Sequence, residues 1–402
     1  MDAAAKKTRA LGTEQEKLAR KAQSFETMGR AALAVGVAAA AGVAVATAKF
    51  VEFDKQMSYV QAATHETAAN MELLRDAAMD AGARTVYSAA EAAMAIEELA
   101  KAGVSTADIL SGGLDGALDA AAAGGMAVAE TAELMASTLA QFQLEGTDAS
   151  HVADLLAAAA GKAQGGMQDM GAALSQAGLV ANQFGISVDE AVGVLAAFAN
   201  AGMMGSDAGT SMRTMLLRLA NPAGEAAAKM KELGINAYDA RGQFIGMEGL
   251  AGQLEEGLST LSDEQRNAAL AIIFGQDAIR GANVLLKEGA TGIAEWTDKV
   301  NDQGYAMDTA AIRLDNLAGD WEEFTGSLET AFISMGQGAN GPLRDFIQGL
   351  TDMVNWFNDW PEWAQQLVIV GGAAVAILGG LGGAALLAIP KLAAFKAAMT
   401  DL

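Results

Sequence analysis

Apolar residues return every three to four positions over most of this chain, and Ser, Thr and Gly break the pattern about every ten to fifteen residues. That spacing predicts short α-helices with marked ends. It is clearest between Phe184 and Pro222. Ser187 is placed to cap a helix, and Glu190, three residues on, to reach back to the cap's own N–H. Val188, Val192, Leu195, Ala196 and Ala199 then give one apolar face. Gly202 ends the helix, because glycine takes the left-handed end conformation at least cost. Met203, Met204, Gly205 and Ser206 form an elbow. The second helix turns Met212, Met215, Leu216 and Leu219 inward, leaves Arg213 and Arg218 to solvent, and stops at Asn221 and Pro222.

The same grammar runs through the rest of the chain. Before Arg30, Leu11, Leu18 and Phe25 stand seven apart, as in a coiled-coil seam, but Thr8 and Gln15 between them are polar. An oligomerising seam and a lone amphipathic helix both fit. The uncharged run Ala31–Ala48 reads as a buried, self-packed helix or a short membrane span. Phe50, Phe53, Met57, Val60, Met71 and Leu74 mark the next helical face, which closes in a loop at Gly82–Tyr87. Further helices are predicted from Ser88 (capping box with Glu91) to Gly103, from Ser105 (with Asp108) to Gly124, from Thr147 to Gly161, and from Ser262 (with Gln265) to Gly275. One exception lies between Leu233 and Gly246, where alternation around a turn at Asp239–Gly242 predicts a small β-hairpin.

Beyond Gly289, Ile312, Leu314, Leu317, Trp321, Phe324, Leu328 and Phe332 predict one long amphipathic helix from Ala310 to Met335. The breaker at Gly336–Pro342 reads as a boundary. An aromatic amphipathic stretch follows, with Phe346, Leu350, Met353 and Phe357. The run from Leu367 through Ile369, Gly371, Ile377, Leu381 and Leu386 to Ile389 carries no charge and is long enough to cross a bilayer. Trp356, Trp360 and Trp363 precede it as an interfacial belt would, and Lys391 and Lys396 follow on what would be the cytoplasmic side. A helix buried at the centre of an oligomer is the other reading. The fold class expected is all-α: short Gly-bounded helices in a core region, longer helices after it, and a hydrophobic C-terminal helix. The expected organisation is 1–49, an N-terminal helix and Ala-rich segment; 50–290, the helical core region; 291–341, an amphipathic segment; and 342–402, the aromatic and apolar segment.

Composition supports the helical reading. The chain has 402 residues, 52% hydrophobic but only 5% aromatic, with alanine the largest single contributor to the apolar count. Alanine favours helix and close helix–helix approach. The net charge of −23 disfavours binding along a nucleic-acid backbone. The first thirty residues are net positive, unlike the remainder taken together, and read as a solvated helix or as a tip for DNA or an acidic surface. With no cysteine there is no disulfide or thiol chemistry. The polar start does not read as a secretory signal.

The sequence predicts no catalytic, cofactor or metal chemistry. His65 and His151 stand apart from any metal-ligand spacing. Leu156–Ala163 (LAAAAGKA) has the end of a phosphate loop without its first Gly or final Ser/Thr. The pairs Glu97–Glu98 and Glu322–Glu323 fall on polar helix faces.

The wording of the central pair goes further than its physics. GISVDEAVGVLAAFANAGMMGSDAGTSMRTMLLRLANP resembles the core signature of phage tail tape measure proteins. EFDKQMSYVQAAT from Glu52 and ARTVYSAAEAAMAIEELAKAG (Ala83–Gly103) are similar to the family's upstream blocks. KELGINAYDARGQF (Lys231–Phe244) and LSDEQRNAALAIIFGQDAIRGANVLL (Leu261–Leu286) are similar to its downstream ones. The resemblance covers most of Phe53–Leu286 and carries no catalytic residues. It implies a structural, non-enzymatic component of the virion. Such a protein lies in the tail lumen as a homo-oligomer and sets tail length. Its implied partners are the tail tube protein, tail tip proteins and tail assembly chaperones. It would occupy the host cytoplasm during assembly and meet the host inner membrane during genome ejection, with no specific nucleic-acid binding. A membrane pore with an all-α domain is the rival from another class. Fully helical, the chain would span about 600 Å at ~1.5 Å per residue, a short ruler or a piece of a longer one.

Overall fold

Side-chain caps fix where several helices begin. Ser88 and Glu91 exchange the two hydrogen bonds of a capping box, and Ser262 does the same with Gln265. Ser187 Oγ accepts the Glu190 N–H at 3.1 Å. Each cap satisfies amides that the first helical turn leaves without partners. The structure, a computed structural model, describes residues 48–338. The predicted N-terminal helix, most of the Ala-rich run, the Trp356–Trp360–Trp363 set and the apolar run Leu367–Ile389 lie outside those residues.

The chain divides into two units. One is Glu52–Ala331; the other is Met1–Val51 with Phe332–Leu402, of which only 48–51 and 332–338 are described. Helices follow one another in the order α1 (48–64), α2 (Ala68–Arg84), α3 (Ala89–Lys101), α4 (Thr106–Asp108), α5 (Leu114–Gly124) and α6 (Val128–Phe142). Next come α7 (Ala149–Lys162), α8 (Met167–Gln183), α9 (Val188–Asn200), α10 (Gly205–Ala220) and α11 (Gly224–Glu232). The last five are α12 (Gly246–Leu258), α13 (Asp263–Phe274), α14 (Ile279–Val300), α15 (Tyr305–Leu314) and α16 (Leu317–Gly338). The all-α class holds, with no strand among the described residues.

Within Glu52–Ala331, α7 and α9 sit at the centre. α7 packs against α5, α6, α8, α9, α14 and α15. α9 was expected to bury one face, but Ala191 through Ala199 are all buried. Its small side chains let neighbours close in from several sides. Gly193 lies against the Thr297 backbone of α14, where an added Cβ would stand 2.7 Å from the Thr297 Cα. Gly209 of α10 lies against α8, where a Cβ would stand 2.1 Å from the Ala173 carbonyl oxygen. Close packing of this kind leaves no room for a methyl group. Phe53, Met57, Val60 and Leu74 are buried as their spacing predicts, while Met71 is half-buried.

Several predicted boundaries move. The loop at Gly82–Tyr87 starts later, because α2 runs on to Arg84. The helix opened by Ser105 is interrupted by a π-helical turn, Ile109–Gly113, in which Gly112 adopts φ 139°. Thr147 does not cap α7. The Glu145 N–H donates to the Asp148 carboxylate at 3.0 Å, and a 3₁₀ turn, Gly146–Asp148, leads in. The predicted hairpin reduces to one antiparallel bridge, Tyr238 to Phe244. Asp239 Oδ1 accepts the Arg241 and Gln243 amides, each at 2.8 Å, so the turn forms without strands to extend it. The long helix expected at Ala310–Met335 breaks at Asp315–Asn316. There Asn316 Oδ1 accepts from Ala318 N at 3.0 Å and Gly319 N at 3.2 Å and starts α16 anew.

Candidate functional site

Several well-placed polar side chains join helices distant in sequence. Asp154 of α7 is only 9% exposed and takes the Gly304 and Ala306 amides at 2.7 and 3.0 Å. It thereby caps α15 from 150 residues away. Glu190 does not turn back to Ser187 as its capping-box position predicts. Its Oε1 accepts the Met247 and Glu248 amides at 2.5 and 3.2 Å, capping α12. Arg313 Nη1 donates to the Ala122 and Ala123 carbonyls at the end of α5, at 3.3 and 2.5 Å. Arg213, expected free in solvent, donates to Gln176 Oε1 of α8 at 3.1 Å. Carboxylates at helix starts and guanidiniums at helix ends also match the helix dipoles.

The motifs weighed for chemistry resolve the same way. Lys162, within the loop-like run Leu156–Ala163, lies at the end of helix α7. It donates to the Lys299 carbonyl at 2.7 Å and the Asp302 carboxylate at 2.5 Å, and stands 4.7 Å from the Tyr305 ring. His65 is exposed in the turn between α1 and α2. His151 meets Asp189 at 2.9 Å, linking α7 to α9. The Asp189 carboxylate raises the His151 pKa above the usual histidine range, and His151 in turn lowers that of Asp189. Asp119 is pushed up to about 6, first by burial and then by the charge of Asp115. Glu97 takes the Gln56 side-chain amide at 2.6 Å and pairs with Lys101 at 2.7 Å. No group of His, Cys, Asp and Glu among the described residues could hold a metal ion. None of the described helices is long and apolar enough to cross a membrane.

One surface stands apart. On α16, Trp321, Phe324 and Leu328 are 65%, 56% and 42% exposed. The Trp321 and Phe324 rings rest on each other, centroids 5.8 Å apart. The opposite face is turned inward: Gly326 lies against the backbone of Thr85–Tyr87, Thr330 is buried, and Ser327 Oγ donates to the Ala83 carbonyl at 3.0 Å. The apolar periodicity of this segment was legible in the sequence; that its aromatic side faces outward was not. The residues singled out for a membrane, Leu367, Ile369, Gly371, Ile377, Leu381, Leu386 and Ile389 with Trp356, Trp360 and Trp363, all fall outside the described residues.

These features define an all-α protein whose polar contacts tie distant helices together and whose α16 carries exposed apolar side chains. The chain belongs to the phage-related minor tail protein family, whose family model matches residues 75–275. A tape measure protein of Pneumococcus phage Dp-1 is 36% identical over 331 residues, 82% of this chain and 29% of that protein. A probable tape measure protein of Escherichia phage P2 is 30% identical over 382 residues, 91% of this chain and 46% of that protein. The chain thus spans less than half the length of either relative. No solved structure matches.

Proposed function

We propose that this chain acts as part of a tape measure protein. It occupies the lumen of a phage tail as a small homo-oligomer, templates polymerisation of the tail tube and sets tail length, with a structural rather than catalytic role. The single observation that carries this reading is the pair of relatives named as tape measure proteins, which together align with most of the chain. The resemblance further supports tail tube, tail tip and assembly chaperone proteins as partners, and assembly in the host cytoplasm. The uncharged run Leu367–Ile389, with Trp356, Trp360 and Trp363 ahead of it, supports a role at the host inner membrane during genome ejection.

The block Glu52–Ala331 is folded back on itself rather than drawn out. A ruler is measured along its extended length, so the working form inside a tube is a straightened one. In-frame deletions made in turn through the encoded protein, starting with about forty residues between Thr291 and Met335, test this by electron microscopy of tails. The expected result is shortening by about 1.5 Å per residue removed, up to ~60 Å for that deletion. Tails whose length answers to none of the deletions overturn the ruler.

A further inference from the structure

Two halves of α14 meet at Gly289. The residues on either side of it are helical, but Gly289 itself has φ 61° and ψ −174°. Glycine reaches that conformation freely, whereas a residue with a Cβ is strained there. The pattern of side chains shows no such break. Ala282, Leu285, Gly289, Ile293, Trp296 and Val300 are buried and follow at steps of three and four, with Gly281 beside them. On one straight helix all of these fall within an arc of about 120°. The apolar stripe thus stays in register across the bend, as if α14 were a single rod. The bend comes from what the two halves pack on.

Those supports differ. In the second half Ile293, Trp296 and Val300 are large and buried. The Thr297 backbone lies against Gly193 of α9, and Lys162 of α7 donates to the Lys299 carbonyl at 2.7 Å. This half is anchored. The first half buries two small residues, Gly281 and Ala282, beside Leu285. Gly281 lies over Ser211 of α10, whose hydroxyl is buried and has no hydrogen-bond partner among the described residues. A hydroxyl left dry in this way weighs against the contact that buries it. Asn283, Leu286 and Lys287 border a cleft of about 800 Å³ shared with Asp263 and Arg266 of α13. The first half therefore has room to move, and the second is held.

We infer that Gly289 is a hinge: α14 is stored bent in the folded block, and turning Gly289 into helical backbone joins its halves into one straight helix. The half before Gly289 swings, and the half after it stays on α7 and α9. The use of this hinge rests on the straightened form proposed above; its existence does not.

Dipolar spectroscopy on the full 402-residue chain tests it. The chain has no cysteine, so Arg280→Cys/Asp298→Cys takes two nitroxides at exposed positions and nowhere else. The two positions stand 18 residues apart. In a straight α14 that puts the labels on one face, about five turns or ~27 Å apart. With labelled chain diluted in unlabelled chain, the main population should lie away from that distance. Gly289→Ala should raise the straight-to-bent ratio at least about tenfold. The added Cβ would also stand 2.3 Å from Glu255 Oε2. Glu255→Ala/Gly289→Ala removes that clash and should still give the ~27 Å peak. Gly292→Ala, at a glycine whose backbone is already helical, should keep the parental distribution. Four outcomes overturn the inference: a main peak at ~27 Å in the labelled chain without further change, the parental distribution in both Gly289 variants, lost helicity with a broad distribution in both, or an equal response to Gly292→Ala. None involves tail length, so the hinge and the ruler can fail separately.

Discussion

Glu190 and Met247 are 57 residues apart, yet the Glu190 carboxylate accepts the Met247 amide at 2.5 Å. One acidic side chain in the first turn of α9 thus supplies the start of α12. Replacing it with alanine strands two amides at a helix start. We expect Glu190→Ala to lower the unfolding free energy by about 1–2 kcal/mol, with Glu190→Gln recovering part of the loss. Urea denaturation checks both. Equal stability of Glu190→Ala and the parent would mean that water replaces the carboxylate without cost.

Asp154 makes the same kind of join in a more buried place. Asp154→Ala leaves the Gly304 and Ala306 amides without their acceptor. The expected loss is about 2–4 kcal/mol, larger than at Glu190 because the Ala306 contact is buried. Hydrogen exchange should show the α15 amides losing protection first.

Helix spacing gives a paired test. Gly209→Ala drives a methyl into the Ala173 carbonyl oxygen and should cost about 1–3 kcal/mol, toward the upper end because backbone must move. At Gly224 nothing lies within 4 Å of the added Cβ, so Gly224→Ala should be neutral or stabilising by up to ~1 kcal/mol. Thermal melts of the two variants should shift in opposite directions or by clearly different amounts.

The His151–Asp189 pair sets a pH window. His151 has a raised folded pKa, so its contribution is complete below the unfolded value of about 6.5 and is lost as pH climbs through the folded one. Asp189 has a lowered folded pKa, so its contribution is complete above about 3.9 and is lost as pH falls through the folded one. The pair therefore stabilises most between roughly pH 4 and 6.5. His151→Gln should cost more at pH 5 than at pH 8, as read from denaturant midpoints; the reverse order would refute the pairing.

Asp119 runs the other way. With its folded pKa raised to about 6, ionisation works against the fold as pH rises from about 4 to 6. Asp119→Asn should stabilise the protein at pH 7 and leave it nearly unchanged at pH 4. The group is partly open to water, so the gain is a modest one.

Much of this architecture was written locally. Ser88, Ser187 and Ser262 announce their helices because a cap acts within three residues of itself. The end of α9 near Gly202 followed from the same short-range rules, whereas the expected elbow is shortened, since Gly205 and Ser206 already belong to α10. Long-range joins left no such trace. At the third position after a cap, Glu190 looks identical whether it turns back to Ser187 or reaches α12. Asn316 did offer a local signal, a capping residue before Leu317, which the unbroken apolar periodicity from Ile312 to Leu328 concealed. That periodicity shows that one side of a helix is apolar. It does not say whether that side is covered, and among the described residues Trp321 is left exposed.

The close approaches at Gly193 and Gly209, and the alanines that crowd α7 and α9, have a mechanical consequence. Interfaces built from such small side chains remove little apolar area per helix, so each helix is held shallowly even though the whole is tightly fitted. Pulled from its ends, the block should yield in a series of small, low-force steps, one or two helices at a time, like a folded carpenter's rule opening joint by joint. A single large rip in an optical trap would contradict this. Under the ruler function proposed above, stepwise yielding would let a narrow tube draw the chain straight without having to break one large core at once.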